Sequence, residues 1–328
     1  MTADPVPQPT RRPHRSAVVV NPAKVDDVDA LRQAVDGALA RVGWPAPRWF
    51  ETTPEDPGRG QALAAVEAGA EVVFVCGGDG TVMSAVSSLA GTETALAVLP
   101  AGTGNLLAAN LGLSTDLAAG IEVVIEGGRR RLDVGAADGK HFAVMAGMGF
   151  DARMLAATSE TAKARIGWPA YVLGAVRHLR DRPMRVTIKV DGDAPRRRRA
   201  RSVLIANVGR LQGGVRLLAE AAPDDGLFDV AVLTPRTLRH WLMLAFAVLR
   251  RSARVPSMEV FHGARVEVTS DRPQPRQLDG DLIDSGRRLL AEVVPAALWL
   301  CVPRPAGDPD LAEDAAAAAR RAARLVES

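Results

Sequence analysis

The sequence predicts an α/β fold in two parts: an amino-terminal α/β domain on a parallel sheet, then a second, mostly antiparallel β domain. Three observations carry this. Between residues 16 and 100, short apolar runs alternate with stretches of helical period, as in a parallel sheet sandwiched by helices. After about Asp133 the texture changes to short β-type runs with few helices. The chain has 328 residues, 47% of them hydrophobic, enough for one large core or two modest ones.

In chain order, "SAVVVN" reads as a buried strand, and Val28, Leu31, Val35, Leu39 and Val42 then recur at helical spacing. "RWFET" is a second strand, "GRGQALAAVEAGA" a helix and "EVVFVC" a third strand. A helix follows Gly80, and "TALAVLP" is a fourth strand. Beyond Asp133 the β-type runs are "MRVTIKV", "RSVLIANV", "LFDVAVL", "ARVEVTS", "RLLAEVV" and "LWLCVP", with helices at Thr161 to Leu179 and Leu238 to Arg250. The chain crosses back toward the first sheet near its end. Residues 1–15 read as a disordered leader, 16–132 as the α/β domain and 133–304 as the β-rich domain. Residues 305–328, rich in alanine, read as a helical tail.

Composition excludes several classes. A formal charge of +3 with local clusters such as "PRRRRARS" makes any basic character local. Only Cys76 and Cys301 occur, outside any CxxC pair, so neither a disulfide framework nor a zinc site is indicated, and a reducing, cytoplasmic setting fits. The leader lacks the apolar core of a secretory signal. The apolar run Trp241 to Leu249 is far short of the roughly 20 residues that span a bilayer. Aromatic residues make up 4%, too few for a base-stacking platform, so nucleic acid is not a predicted partner.

Two glycine-rich stretches hold the chemistry. "GGDGT" (Gly77 to Thr81) falls where a strand hands over to a helix at the carboxyl edge of the parallel sheet, the edge at which open α/β sheets bind ligands. Glycines there let backbone N–H groups approach an anion, and the helix presents its positive end. The plainer alternative is a tight turn whose glycines supply positive φ. One strand later "LPAGTGNLLAANLGL" repeats the pattern, and two such loops on neighbouring strands favour a phosphate cradle.

These residues resemble the diacylglycerol kinase catalytic-domain superfamily, which includes bacterial lipid kinases and sphingosine kinases. The likeness runs over nearly the whole chain: "VVNP" (Val19 to Pro22), Thr52 and Thr53, "GGDGT", "PAGTGN" (Pro100 to Asn105), "GMGFDA" (Gly147 to Ala152), "ANVGRLQGG" (Ala206 to Gly214), "PDDGLFDV" (Pro223 to Val230) and "QLDGD" (Gln277 to Asp281). "GGDG" alone would also fit NAD kinases and phosphofructokinases. The order of the motifs together is the specific signal.

The resemblance implies a two-domain kinase with ATP in the cleft between the α/β domain and a β-sandwich domain. It places Gly77, Gly78, Asp79, Gly80 and Thr81 along the phosphates, with Gly102, Thr103 and Asn105 in the second loop. Thr53 and Thr103 would offer hydroxyls to the nucleotide. Asp79 beside phosphate would act through Mg²⁺ or water. Bacterial members place their proton acceptor at the Glu of "LDGE"; here the motif reads "LDGD", so Asp281 stands there, one methylene shorter, with Asp279 two residues before it. By the same likeness Asp225, with the backbone oxygens of Ala222 and Leu227, would hold a structural Mg²⁺. A plain β-turn remains the alternative reading of both "DGD" and "DDG". The chain also departs from the family at Leu106, where many bacterial members carry an Asp, and at Lys24, in "NPAK" without the glycine usual after NP.

"LRHWLMLAFAVLRRSAR" (Leu238 to Arg254) is apolar with basic flanks, which reads either as a segment lying on a membrane surface or as a core helix with solvated ends. The arginines at 196 to 199 and 201 would add attraction to anionic headgroups or simply form an exposed hairpin. The expectation is therefore an ATP- and Mg²⁺-dependent kinase, peripheral to the membrane, acting on a lipid hydroxyl and foremost that of diacylglycerol. A sphingoid-base kinase, an NAD kinase and a nucleotide-sensing membrane protein stay open as alternatives. A homodimer is compatible with this reading.

Overall fold

The computed structural model describes residues 14–102, 105–114, 116–126, 128–149, 182–209, 218, 221–235, 237–250 and 255–303. Most of the leader, the helix expected at Thr161 to Leu179, the tail from 305 and the site residue Thr103 lie outside them.

The first part follows the alternation read from the sequence. Strands β1 (Ser16–Val20), β2 (Arg48–Glu51), β3 (Val72–Gly77) and β4 (Ala95–Pro100) are interleaved with helices α1 (Val28–Arg41), α2 (Arg59–Glu67) and α3 (Asp79–Leu89). They pair in the order β2-β1-β3-β4, all parallel. Ala17, Val19, Val73 and Val75 face a core that includes Ala62, Ala65, Val82 and Val86. Val18, Val20, Phe74 and Cys76 face Leu31, Val35 and Leu39 on the other side. Both faces are covered, which is why these strands read as unbroken apolar runs rather than alternating ones. Asp27 caps α1 by accepting from the Ala30 N–H at 2.8 Å. Short helices α4 (Leu106–Asn110) and α5 (Leu117–Glu126) close this part.

The second part is antiparallel. It contains β5 (Gly128–Ala137), β6 (Lys140–Phe142), β7 (Met145–Gly149), β8 (Met184–Val190), β9 (Arg196–Ala200), β10 (Ser202–Ala206) and β11 (Phe228–Leu233). Helix α6 (Leu238–Leu249) then leads to β12 (Met258–Gly263), β13 (Arg265–Leu278) and β14 (Asp281–Val302). Met148, Ile188, Val203, Val230 and Val268 fill the interior of this β-sandwich, and β8 shows the strict in-out alternation expected of it.

Two features depart from the sequence reading. "RLLAEVV" and "LWLCVP", read as separate strands, both belong to the 22-residue β14. The Pro295–Ala296 interruption between them is a bulge and not a turn: the register against β5 shifts between Val294 and Leu298, and Ala296 takes φ of +48°. Arg201, grouped with the surface arginines, is only 9% exposed, and its Nε donates to the Pro235 carbonyl at 2.9 Å. Its neighbours Arg196 to Arg199 do lie in a hairpin, β8 with β9, in which Arg197 and Arg199 are exposed and Arg196 and Arg198 half-buried.

Strand β14 joins the two parts. Its first half pairs with β13, and near its end Trp299 and Leu300 pair in parallel with Ala95 and Leu96 of β4. One buried cluster also runs from Val73 and Val86 through Leu298 to Leu204 and Ala231. The carboxyl end of the parallel sheet is thus held in fixed relation to the β13–β14 turn.

Candidate active site

Gly78 is the N-cap of α3 and is extended (φ −85°, ψ −177°). None of Gly77, Gly78 and Gly80 has positive φ, so a turn's need for left-handed backbone does not explain them. They serve two other purposes. A Cβ added at Gly77 would lie 2.7 Å from the Cβ of Thr81, and one at Gly102 would lie 2.9 Å from the Cα of Gly78. Gly77 lets the first loop close on the Thr81 side chain of its own helix, and Gly102 lets the two loops touch. At Gly78 and Gly80 an added Cβ would meet nothing within 4 Å. Bare backbone therefore faces open space at the positive end of an 11-residue helix, the geometry of an anion cradle.

The remaining loop residues hold this arrangement. Thr81 is 3% exposed and its hydroxyl accepts from Asn21 Nδ2 at 3.1 Å, so it is fixed from the "NP" motif and turned inward. Asn105 is left-handed (φ +45°), and its Oδ1 accepts from the Gly102 N–H at 3.2 Å. Asp79 Oδ1 accepts a short hydrogen bond from the backbone N–H of Leu106. The departure at Leu106 thus removes a carboxylate but leaves the main-chain donor that ties the first loop to the second. Exposed Thr53 sits in a local turn, its Oγ1 accepting from the Asp56 N–H at 3.1 Å. Burial pushes the Asp79 carboxyl above the usual range, while the N–H groups of Leu106 and Asn105 pull it down. The Asp281 carboxylate adds a further upward push, which puts the two acids within electrostatic reach although 202 positions separate them in the sequence.

Leu278 of β13 pairs with Asp281 of β14, leaving Asp279 and Gly280 as a two-residue loop with φ of +49° and +96°, a type I′ hairpin turn. The turn reading and the site reading therefore coincide. The two acids differ sharply. Asp279 is 7% exposed. Its Oδ2 accepts from the Ala143 N–H (2.7 Å), and its Oδ1 from those of Val144 (2.8 Å) and Met145 (2.7 Å). Burial pushes its pKa up to about 7 against the pull of these three donors. Asp281 is exposed, beside Leu282, an apolar side chain that is 48% exposed. Within the pair, Asp279 has the environment of an anchor and Asp281 that of a group able to meet an incoming molecule.

One residue the sequence reading passed over completes the anchor. Asn207, 1% exposed, donates through Nδ2 to the carbonyls of Asp133 (2.8 Å) and Ala143 (2.9 Å). Asp279 and Asn207 thus grip the same corner at residues 143–145, one by its N–H groups and one by a carbonyl. The only signal was an Asn within "ANVG", a motif noted as a whole.

Asp225 lies in the turn before β11, its Oδ1 accepting from the Leu227 N–H at 2.9 Å. The Gly226 N–H goes to Asp133 Oδ2 (2.6 Å), and the Asp133 N–H to the Pro223 carbonyl (2.7 Å). A carboxylate with the carbonyls of Ala222 and Leu227 is a set of hard oxygen donors, chemically suited to Mg²⁺. Among the described residues no three His, Cys, Asp or Glu side chains form a metal-binding group.

Comparison with known proteins agrees across both parts. The family described as "Diacylglycerol kinase catalytic domain" matches residues 15–137. The "YegS C-terminal NAD kinase beta sandwich-like domain" matches residues 143–302. A Pseudomonas aeruginosa protein named "Probable lipid kinase YegS-like" is 33% identical over 301 residues, covering 87% of this chain and 91% of its own. A Mycobacterium tuberculosis "Diacylglycerol kinase" is 30% identical over 294 residues, covering 84% and 91%. In fold, the crystal structure of a diacylglycerol kinase from Bacillus anthracis superposes with a TM-score of 0.68 at 19% identity, over 89% of this chain and 98% of that one. With two glycine loops, a β-sandwich and both domain matches in one order, the chain belongs to the diacylglycerol kinase catalytic-domain family of lipid kinases.

Proposed function

We propose that the protein transfers the γ-phosphoryl group of ATP to a lipid hydroxyl, with diacylglycerol as acceptor and phosphatidic acid as product. The observation that carries this reading is the bare backbone of Gly78 and Gly80 at the positive end of α3, with exposed Asp281 within electrostatic reach of Asp79 on the same loop. A base for the acceptor and a cradle for the donor then share one cleft.

The N–H groups around Gly78 and Gly80 would receive the phosphates, aided by the α3 end. Asp79 keeps the loops closed on each other through Leu106. Asp281 would take the hydroxyl proton as that oxygen bonds to the γ-phosphorus and the bond to the β-phosphate oxygen breaks, leaving ADP. Asp279 holds the turn so that Asp281 stays at the cleft, since displacing a reacting group by even about 1 Å is costly. Mg²⁺ would supply charge neutralisation at the phosphates. Asp79 is the acid nearest to that role, and Asp225 with the Ala222 and Leu227 carbonyls would hold a second ion that fixes the turn. The exposed Leu282 offers apolar contact beside the base, which favours a lipid alcohol over a polar acceptor. An enzyme with this substrate works at a membrane surface.

The test is incubation of the whole protein with labelled ATP, Mg²⁺ and separate acceptors: diacylglycerol, a sphingoid base and NAD. Label in phosphatidic acid is the expected result. Label in a sphingoid phosphate or in NADP, or in no acceptor, would overturn the assignment.

A further inference from the structure

Helix α6 belongs neither to the cleft nor wholly to the core. Leu244 and Ala247 turn inward at 8% exposure each. Arg239, Met243, Phe246 and Arg250 are exposed, Met243 at 42% and Phe246 at 55%. Their spacing of four, three and four residues keeps them within roughly 60° of one another at about 100° per residue. They form one stripe roughly 16 Å long, apolar at its centre and cationic at both ends. The Arg250 guanidinium lies over the Phe246 ring, 4.3 Å from its centroid. Among the described residues, the other exposed large apolar side chains fall singly: Val42 just past the end of α1, Leu63 on α2, Val260 on β12 and Leu282 on β14.

Charge complementarity selects the partner. From Thr234 to Met258 the sequence contains Arg236, Arg239, Arg250, Arg251 and Arg254 and no Asp or Glu. A face built to pair with a protein surface of mixed charge has no need of so one-sided a composition. An apolar centre with arginines at its ends matches a bilayer boundary, where rings and thioethers enter the acyl region and guanidinium groups stay among the phosphates. We propose that the Arg239–Met243–Phe246–Arg250 stripe of α6 docks the protein on an anionic lipid surface. The inference rests on the reading of the protein as an enzyme with a membrane-held substrate. It adds the surface by which that membrane is met, separate from the residues of the cleft.

The test uses the full chain and large vesicles of phosphatidylcholine, with or without phosphatidylglycerol, in a sedimentation assay. Wild type should bind the anionic vesicles at least tenfold more tightly than the neutral ones, and less well as salt is raised. Met243→Ser with Phe246→Ser should weaken binding tenfold or more, and Arg239→Gln with Arg250→Gln should abolish the preference for anionic vesicles. Both pairs should phosphorylate a short-chain diacylglycerol in neutral detergent within about twofold of wild type. Unchanged vesicle binding by either pair would overturn the proposal. So would a wild-type dimer that the serine pair converts to monomer, because the stripe would then cover a second copy. Vesicle binding that depends on the stripe, in a protein that phosphorylates no lipid, would support the surface while refuting the proposed activity.

Discussion

Replacing Asp279 with Asn tests the division of labour at the hairpin turn, because Asn tolerates the left-handed backbone that position 279 adopts (φ +49°). The change is therefore confined to the carboxylate. Three buried N–H groups depend on it: Ala143 on one oxygen, Val144 and Met145 on the other. An Asn side chain keeps one oxygen and puts an NH₂ in place of the other. The less costly rotamer retains the oxygen shared by Val144 and Met145 and leaves the Ala143 donor facing another donor. An orphaned buried donor costs about 1–3 kcal/mol, and the donor–donor contact takes the expected loss to roughly 2–4 kcal/mol. Asp281→Asn, the same atomic change two residues on but on an exposed side chain, should cost less than about 0.5 kcal/mol. Urea unfolding of the three proteins, followed by circular dichroism and analysed by midpoint and slope, measures both values. A loss below about 0.5 kcal/mol for Asp279→Asn would refute the anchoring role.

The glycine loops and the buried acid give two more predictions. Gly78→Val should fold normally and lose ATP binding, since the added side chain enters open space before the helix. Gly77→Val should instead lower the melting temperature, because its Cβ would strike Thr81; equal stability of the two variants, or unchanged ATP affinity in folded Gly78→Val, would contradict this. For pH, the folded-state pKa of Asp279 is about 7, above the ordinary value of about 4. The native state therefore keeps this proton where the unfolded chain has released it. The stabilisation is complete below about pH 4 and is lost as pH rises through about 7. Between pH 5 and 8 the melting temperature of wild type should fall more than that of Asp279→Asn, and a smaller fall in wild type would count against the shift.

Much of this architecture was legible in the sequence, and what was not has particular causes. The parallel strands were readable because burial on both faces makes them continuous apolar runs, as in "VVFVC". Strand β9 was read as an arginine-rich hairpin and not as a distinct strand, because Arg196 to Arg199 carry no apolar alternation. Its place comes from pairing with β8. The continuity of β14 was hidden by Pro295, which looks like a turn until the Ala296 N–H is seen to end on Asp133 Oδ1 at 2.7 Å. At the site, the motifs named the right loops but could not say which way a residue faces. Thr81 and Asp79 are neighbours of the same cradle, yet one is locked to Asn21 and the other to Leu106. Nor could motif spacing separate Asp279 from Asp281, because burial is decided by residues 143–145, which arrive from another strand.

The measurement that bears most directly on the central claim is turnover by Asp281→Asn at saturating ATP and diacylglycerol, taken together with its ATP affinity. If Asp281 accepts the hydroxyl proton, ATP affinity stays within about twofold, while kcat falls by roughly two to four orders of magnitude, the span usual for a lost general base. Turnover at the wild-type rate would contradict the account and pass the role of base to Asp79.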